Sequence, residues 1–327
     1  MDGVVSIIIG CYNGAKYIER CFNCIINQTY RNIEVVFGDD GSTDSSFQIA
    51  QQFIPIFERH GLTLKCFSQS NIGMVTNQAL KIATGEYIAV YDVDDILYPT
   101  SIEKRVFFMI DHPEYACVRT NGYKLDQYGN KELFSANEAI EYSDNIFEDL
   151  LLGRTYNWAG SYMVRRKALN KVYNGYPVFE THYGANLQVL LATVYNNKTG
   201  YIDEPLMEYM YNTDSITHSD INYASDKNRY LGFKAIREAI LDQLNIRNKY
   251  QQQIDIMYGE ILLDLALTYN KELDFITEYE KLREFKFHAK TIHTYYYHKF
   301  KNNIIAKGFF RVLLAVKTQL SRCKKRR

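Results

Sequence analysis

The sequence predicts an α/β fold in which a mostly parallel sheet is flanked by helices and followed by a helical C-terminal extension. In the first hundred residues, short β-branched segments alternate with segments whose apolar residues recur at helical spacing, the pattern of a parallel sheet with helical crossovers. Polar clusters follow three of these strands, where α/β sheets bind ligands. Beyond about residue 223 the chain has neither strand patterns nor prolines, which indicates helices.

The individual elements follow from the same periodicities. Each predicted strand is a short, largely apolar run with β-branched residues, and these runs cover residues 4–9, 33–37, 62–67 and 87–91. Apolar residues at helical spacing predict helices over 14–27, 44–59, 74–83 and 186–195. We expect Ser42 or Thr43 to cap the second helix. A short strand is predicted at 200–202, and a change of pattern near Asp220 predicts two regions, 1–220 and 221–327.

Composition limits the classes of function. Lys and Arg total 38 and Asp and Glu total 38, so the uniformly basic character of a nucleic-acid-wrapping protein is absent and no nucleic-acid partner is expected. No apolar run reaches the ~20 residues that span a bilayer, and the first residues do not read as a signal peptide. We therefore expect a cytoplasmic protein whose six cysteines, including the pair Cys21 and Cys24, are reduced thiols.

The neutral total conceals a basic C-terminal segment. Residues 301–327 contain nine Lys or Arg and no acidic residue, whereas residues 1–300 contain 29 basic and 38 acidic residues. Bulky apolar residues interleave with the basic ones, a composition typical of helices that lie on anionic membrane surfaces. The sequence therefore predicts peripheral attachment to the inner face of the cell membrane; a helix that packs on the main domain is the alternative.

Carboxylates after two of the strands suggest ligand binding. Asp92, Asp94 and Asp95 follow an apolar strand, and a D-x-D spacing suits Mg²⁺ or Mn²⁺ together with a phosphate-bearing substrate, although a solvated turn has the same pattern. Asp39 and Asp40 follow another strand, where an acidic side chain accepts hydrogen bonds from a nucleotide. A dinucleotide fingerprint and a P-loop motif are both missing, which argues against a dehydrogenase and a P-loop phosphotransferase.

Taken in order, these segments resemble glycosyltransferase family 2. The resemblance rests on residues 6–13, 17–21, 28–35 and 39–44, continues through 71–73, 83–87 and 92–95, and extends more faintly to about His218, over two-thirds of the chain. It implies a GT-A fold and inverting transfer of a sugar from a nucleotide-sugar, of which a UDP-sugar is the expected type. The implied acceptor is a glycan or lipid-linked glycan of a bacterial surface polysaccharide.

The resemblance also implies roles for individual residues. Asp92, Asp94 and His218 are the implied ligands of Mn²⁺ or Mg²⁺, with a solvent-exposed histidine as the alternative for His218. The nucleotide-sugar is expected to contact the residues that match the family's donor-binding positions, which are Tyr12, Asn13, Glu19, Asp39, Asp40, Asn71, Gly73, Asp92 and Val93. Trp158, the only tryptophan, is a candidate for stacking on the acceptor sugar, and packing in the core is its alternative role.

The sequence departs from the family pattern at two places. Asn186 stands where many relatives have the aspartate that acts as general base, and an amide cannot take up a proton near neutral pH. Glu180 and His182 are the candidates to replace it. The segment Met74–Asn77 also lacks the arginine common in the family. These departures leave two alternatives open: a non-catalytic module that binds nucleotide-sugars and, less favoured, a sugar nucleotidyltransferase.

Overall fold

The computed structural model describes residues 3–69, 75–126, 128–134, 138–173, 184–210 and 222–285. The strands are β1 (Val5–Cys11), β2 (Ile33–Asp39), β3 (Thr63–Ser68), β4 (Tyr87–Asp92), β5 (Ile96–Leu97), β6 (Tyr115–Leu125), β7 (Lys131–Leu133), β8 (Tyr162–Arg165) and β9 (Lys198–Tyr209). The helices are α1 (Ala15–Ile26), α2 (Ser46–Gln52), α3 (Ile54–Arg59), α4 (Val75–Ile82), α5 (Ser101–Asp111), α6 (Glu138–Glu141), α7 (Phe147–Leu151), α8 (Arg166–Val172), α9 (Ala185–Val194), α10 (Tyr223–Gln243), α11 (Arg247–Thr268) and α12 (Glu272–Arg283).

The described strands form one sheet in the order β3-β2-β1-β4-β8-β6-β9-β5, and β7 pairs with the outer part of β6. Strands β1 to β4 are mutually parallel, whereas β8 runs antiparallel to β4 and β6. Strands β1 and β2 are almost completely buried, as expected for central parallel strands covered on both faces. The predicted α/β class, with its mostly parallel sheet, is thus confirmed.

One helical layer packs on the sheet through aromatic side chains. Phe22 of α1 makes edge-to-face contacts with Phe37 of β2, with Phe53, and with Phe57 of α3, at ring-centroid distances of 5.6, 5.3 and 5.3 Å. These side chains, apart from the partly buried Phe53, are fully buried. Burial of such rings is a major source of stability, so this cluster fixes α1, and the loop that precedes it, relative to the strand ends.

The register of the parallel strands determines which residues meet at the sheet edge. Gly10 of β1 pairs with Gly38 of β2 on one side and with Asp92 of β4 on the other, and Cys11 pairs with Asp39. The carboxyl ends of the three strands therefore lie at the same edge. Adjacent strands are spaced by about 4.8 Å, which places the backbones of Asp39 and Asp92 about 10 Å apart across β1.

Three details differ from the sequence-based expectation. The predicted helix over 44–59 is two helices, α2 and α3, because Pro55 lies in the first turn of α3 and cannot continue a preceding helix. Its N-cap is Ser45, without a side-chain capping bond, so the expected cap at Ser42 or Thr43 is wrong. The strand expected at 200–202 is the longer β9, which continues past Pro205 with a shift of register opposite Asn121.

The described residues form two compact units, one of residues 3–210 with 231–247 and the other of 222–230 with 248–285. The second unit is helical, and its core consists of Leu263, Ala266, Phe275 and Tyr279. Tyr269 donates to Asp226 at 2.7 Å within it. The predicted boundary near Asp220 remains a prediction. None of the helices in the described part of the chain combines the length and apolar composition needed to cross a bilayer.

Candidate active site

Asp39 is a buried carboxylate, and one of its two oxygens accepts no hydrogen bond from the described residues. It is the last residue of β2 and only 2% exposed. Its Oδ2 accepts hydrogen bonds from the Ser68 hydroxyl at 2.8 Å and from the Ser42 backbone N–H at 3.3 Å. Its buried Oδ1 has no hydrogen-bond partner among the described residues. An acceptor in this state is costly unless a ligand donates to it, so Asp39 is suited to bind one N–H or O–H group.

Asn13 joins the loop after β1 to the loop after β2. Its backbone is left-handed, with φ of 50°, and its N–H donates to the Ser42 hydroxyl at 2.9 Å. Its Oδ1 accepts from the Thr43 N–H at 2.8 Å. The Ala15 N–H donates to Asp44 at 3.1 Å, which adds a further link. The amide of Asn13 therefore shapes the two loops, and this role was not evident in the sequence.

The remaining predicted residues near this edge differ in exposure. Tyr12 directly follows β1 and leaves 42% of its surface exposed, so its ring is accessible. Asp40 is half-buried, and its N–H donates to the Cys11 carbonyl at 2.8 Å. Glu19 lies on the exposed side of α1, outside the contacts that join the two loops. Asn71 and Gly73 lie outside the described residues.

Asp92, Asp94 and Asp95 form a crowded acidic turn after β4. Asp95 is buried; its Oδ1 accepts from the Met210 N–H at 3.0 Å, and its carbonyl accepts from the Tyr91 hydroxyl at 2.8 Å. Arg20 of α1 donates to the Asp94 carbonyl. Val93 is buried, and its Cγ1 would lie 3.1 Å from a Cβ added at Gly14. The turn is thus held against the start of α1.

The crowding disfavours the charged forms of Asp92 and Asp95. Asp92 is exposed as a residue. Desolvation by the neighbouring chain and the charge of Asp94 raise the pKa of its carboxyl above the usual range. Burial, together with the charges of Asp92 and Asp94, raises the pKa of Asp95 well above its usual range. A positive charge near Asp92 and Asp94 would relieve this repulsion.

The described residues alone do not complete a metal site. Among them, no three His, Cys, Asp or Glu side chains are grouped closely enough to hold an ion. His218 lies outside the described residues. Two neighbouring carboxylates nevertheless fit Mg²⁺ or Mn²⁺ when substrate phosphates and water supply the other ligands, which is the usual mode of Mg²⁺ binding.

Trp158 belongs to an aromatic cluster. It is half-buried, and its ring centroid lies 4.5 Å from that of Tyr209 and 5.6 Å from that of Phe134. Part of the indole therefore packs against the core and part is accessible. The predicted stacking on an acceptor sugar remains a prediction.

Asn186 lies at the start of α9 and contacts the loop that carries Trp158. Its Nδ2 donates to the Asn157 carbonyl at 2.6 Å, and its own carbonyl accepts from the Tyr162 hydroxyl at 2.8 Å. The structure thus brings together two of the predicted regions, around Trp158 and Asn186. Glu180 and His182 lie outside the described residues.

Comparison with known proteins decides the family. The family model described as "Glycosyl transferase family 2" matches residues 6–173, about half of the chain. The chain belongs to glycosyl transferase family 2. The resemblance inferred from the sequence is confirmed, and with it the assignment of the protein as a transferase enzyme.

Individual relatives agree with this assignment. The protein is 25% identical to glycosyltransferase GlyG of Streptococcus pneumoniae over 89% of this chain and 96% of GlyG. It is 33% identical to EpsE of Bacillus subtilis over 38% of this chain, and 37% identical to chondroitin synthase of Escherichia coli over 39%. These shorter matches span only 45% of EpsE and 18% of chondroitin synthase.

Solved structures confirm the GT-A fold of this glycosyltransferase. Residues 1–349 of S. aureus TarS in complex with UDP-GlcNAc align with a TM-score of 0.56 at 18% identity, over 86% of this chain and 90% of that one. A mannosyltransferase of Pyrobaculum calidifontis in complex with GDP-Man and Mn²⁺ aligns with a TM-score of 0.52 at 14% identity, over 97% and 87%.

Proposed function

We propose that this glycosyltransferase transfers a sugar from a UDP-sugar, with inversion at the anomeric carbon, to a glycan or lipid-linked glycan acceptor. The observation that carries the nucleotide assignment is the unpartnered Oδ1 of Asp39. Because Oδ2 is already occupied by Ser68 and Ser42, Asp39 offers one acceptor atom, which matches the single imide N–H of uracil. Guanine presents two neighbouring N–H donors, which match a carboxylate with both oxygens unoccupied better than one with a single unoccupied oxygen.

The rest of the donor would extend from Asp39 across β1. The exposed ring of Tyr12 would lie against the base. The ~10 Å between the backbones of Asp39 and Asp92 suits a nucleoside whose diphosphate reaches the acidic turn. Asp94, with Asp92, would hold Mn²⁺ or Mg²⁺ there, and the ion supplies charge stabilisation for the departing diphosphate. The UDP-GlcNAc and Mn²⁺ bound by the two structural neighbours support this arrangement.

Inversion requires a base that takes the proton of the acceptor hydroxyl on the face opposite the leaving group. Asn186 is excluded from this role because its amide is neutral and donates to Asn157. We assign the base to Glu180 or His182, which precede α9 in sequence. Trp158, with its accessible part, would contact the acceptor sugar. The polysaccharide named by the relative chondroitin synthase supports a glycan acceptor.

A screen of nucleotides by thermal shift tests the donor assignment. UDP with Mn²⁺ should raise the melting temperature more than GDP or CDP with Mn²⁺, since a ligand at a hundred times its Kd adds about 2.7 kcal/mol of stability. UDP-sugars that stabilise the protein are then assayed for turnover with oligosaccharide acceptors. Preference for GDP would overturn the nucleotide assignment, and binding without turnover of any donor would overturn the transfer step.

The basic segment 301–327 lies outside the described residues, so its role is a proposal from charge alone. We propose that it attaches the protein to anionic membranes. Full-length protein should co-sediment with vesicles of phosphatidylglycerol and phosphatidylcholine at low salt and dissociate as salt screens the attraction. Equal co-sedimentation with pure phosphatidylcholine vesicles would contradict the proposal.

A further inference from the structure

The loop that carries Trp158 is held through its backbone carbonyls. We refer to residues 155–161 as the Trp158 segment. Its carbonyl oxygens accept hydrogen bonds from partners on several elements: Tyr156 from Arg119 Nη2 at 3.2 Å, Asn157 from Asn186 Nδ2 at 2.6 Å, Trp158 from the Ser161 hydroxyl at 2.6 Å, Gly160 from Arg105 Nη2 at 2.5 Å, and Ser161 from the Thr120 N–H at 2.8 Å. Two of these donors are buried arginines.

Arg105 of α5 is an unusual buried cation. It is fully buried, and its Nη2 also donates to the hydroxyls of Ser101 at 2.9 Å and Thr120 at 3.3 Å. No carboxylate among the described residues pairs with it, and its Nε and Nη1 have no hydrogen-bond partner there. Burial lowers its pKa to about 10, so the guanidinium stays charged at neutral pH.

Such a side chain is a poor way to stabilise a core. A buried charge carries a large desolvation cost, and apolar residues of similar volume often give equal or greater stability. What Arg105 supplies instead is a charge-assisted hydrogen bond to the carbonyl of Gly160. Its partners are hydroxyls and a backbone carbonyl, so its effect is to fix the position of a backbone segment.

Gly160 links the hydrogen bond from Arg105 to the strand that precedes the acidic turn. Its N–H donates to the Val90 carbonyl at 2.6 Å, two residues before Asp92. Its φ is 77°, and a Cβ at this position would lie 3.2 Å from the ring of Tyr91, whose hydroxyl donates to Asp95. Gly160 is therefore hydrogen-bonded through its carbonyl to Arg105 and through its N–H to β4, the strand that leads into the acidic turn.

Arg119 of β6 holds the other end of the segment. It is 1% exposed, forms an ion pair with Glu141 at 2.8 Å, and donates to the Thr155 hydroxyl at 2.7 Å. Its guanidinium lies 4.1 Å from the ring centroid of Tyr156, a cation–π contact. The two arginines thus restrain the segment on both sides of Trp158 and Asn157.

We infer that Arg105 and Arg119 are positioning residues, which fix the Trp158 segment so that the Trp158 indole and the Asn186 amide keep their places near the carboxyl end of β4. Both arginines are buried, so they would act through the segment and not by direct contact with a substrate. The consequence for transfer rests on the proposed function, whereas the restraint of the segment rests on the contacts above.

The single tryptophan makes the restraint measurable, since intrinsic tryptophan fluorescence reports only on Trp158. In Arg105→Met, we expect stronger quenching of Trp158 by acrylamide and about tenfold faster amide hydrogen exchange in residues 155–161, because one charge-assisted hydrogen bond is lost. Arg105→Lys should restore part of the protection. Arg154→Met is the matched control: Arg154 is an exposed arginine paired with Asp149 at 3.0 Å, beside the segment, and its loss should leave both signals unchanged.

Two functional measurements separate positioning from a general structural role. In Arg105→Met, the Kd for UDP with Mn²⁺ should stay within about twofold of wild type, while kcat for transfer falls about tenfold at unchanged donor KM. Unaltered quenching and exchange in folded Arg105→Met would overturn the inference, as would a loss of UDP affinity equal to the loss of turnover. If Arg105→Met does not fold, the same measurements of UDP affinity, turnover, quenching and exchange are made on Arg105→Lys and Arg119→Lys and compared with wild type. If the wild type turns over no donor, the proposed function fails, and quenching and exchange still decide the inference.

Discussion

Asn186 and Asn157 are joined by a hydrogen bond of 2.6 Å from the side-chain Nδ2 of the first to the backbone carbonyl of the second. Asn186 Oδ1 also accepts from the Leu187 N–H at 2.9 Å, so both atoms of the amide have partners. The residue predicted to stand in place of the family's aspartate is therefore part of the backbone scaffold around Trp158. A carboxylate at this position would direct an oxygen at the Asn157 carbonyl, without the proton that joins them now.

This contact predicts that restoring the family's aspartate is unfavourable here. In Asn186→Asp, the Asn157 carbonyl loses its donor and faces a negative charge, so the free energy of unfolding should fall by about 1–3 kcal/mol. Urea denaturation followed by Trp158 fluorescence measures the change. Asn145→Asp, at an exposed position, is the control and should shift it by less than about 0.5 kcal/mol. A stable Asn186→Asp variant with faster transfer would contradict the prediction and identify position 186 as a place for the base.

The sheet and its ligand-binding edge could be predicted from the sequence because their signals are local. Strands β1, β2 and β4 are largely apolar runs, and the polar residues that follow each run identify the carboxyl edge. The division of residues 44–59 into two helices was missed although Pro55 indicates it, because the apolar periodicity continues through the break. Pairing beyond β4, including the long β9, depends on non-local contacts with β6 that no local pattern contains.

The site was predictable in residue types but not in contacts. The carboxylates of Asp39, Asp92 and Asp94 follow from their positions after strands, whereas the free oxygen of Asp39 depends on Ser68, a residue on another strand. Arg105 had a sequence signal that was overlooked: it stands in the buried stripe of α5, with Ile102 and Met109 one turn away on either side. A charged residue in an apolar stripe indicates a buried polar contact.

Asp39→Asn should change which nucleobase binds. The variant replaces an acceptor by an amide that can donate to N3 of cytosine, so the preference for UDP over CDP should fall about tenfold, the value of one hydrogen bond to a charged group. Isothermal titration with UDP and CDP in the presence of Mn²⁺ measures the ratio. Asp126→Asn, in the exposed turn between β6 and β7, should leave the ratio unchanged. An unaltered ratio in Asp39→Asn would show that Asp39 does not read the base.

Asp94→Asn should abolish the metal-dependent part of binding and transfer while the fold persists. The unliganded variant should be at least as stable as wild type, because the charge of Asp94 repels Asp92 and Asp95. Thermal shifts with UDP, recorded with and without Mn²⁺, test this: the Mn²⁺-dependent increment should disappear. Asp111→Asn, on the exposed end of α5, is the control. An undiminished Mn²⁺ increment would remove Asp94 from the metal site.

Glu34 should make the free energy of unfolding depend on pH in the acidic range, below about pH 4.5. Burial disfavours its charge, but hydrogen bonds from Lys65 at 2.7 Å, from Ser6 at 2.5 Å and from Thr84 outweigh that effect and lower its pKa to about 2. A lowered pKa stabilises the fold above the unfolded value near 4.5, and this contribution is lost as pH falls toward 2. Glu34→Gln should therefore lose about 1–3 kcal/mol at pH 7 and less at pH 3.

Urea denaturation at pH 7 and at pH 3 measures this difference. Glu86→Gln is the control, since Glu86 is an exposed carboxylate whose ion pair with Arg165, at 3.4 Å, is weak; its loss should cost less than about 0.5 kcal/mol at either pH. Equal losses for Glu34→Gln at the two pH values would show that the ionised form of Glu34 is not what stabilises the sheet.

Gly38 and Gly10 pair directly across β1 and β2, yet they should tolerate a methyl group very differently. A Cβ at Gly38 would lie 2.6 Å from the ring of Phe67 and closer still to Val75, whereas a Cβ at Gly10 would lie 3.6 Å from Val75, an ordinary contact. Gly38→Ala must push α4 or Phe67 away and should cost about 1–3 kcal/mol of unfolding free energy, as overpacking does. Gly10→Ala is its matched control and should be nearly neutral.

Because Gly38 directly precedes Asp39, Gly38→Ala should also weaken UDP binding, which is measured by titration alongside urea denaturation. Equal stability of the two variants would show that α4 does not pack closely over β2.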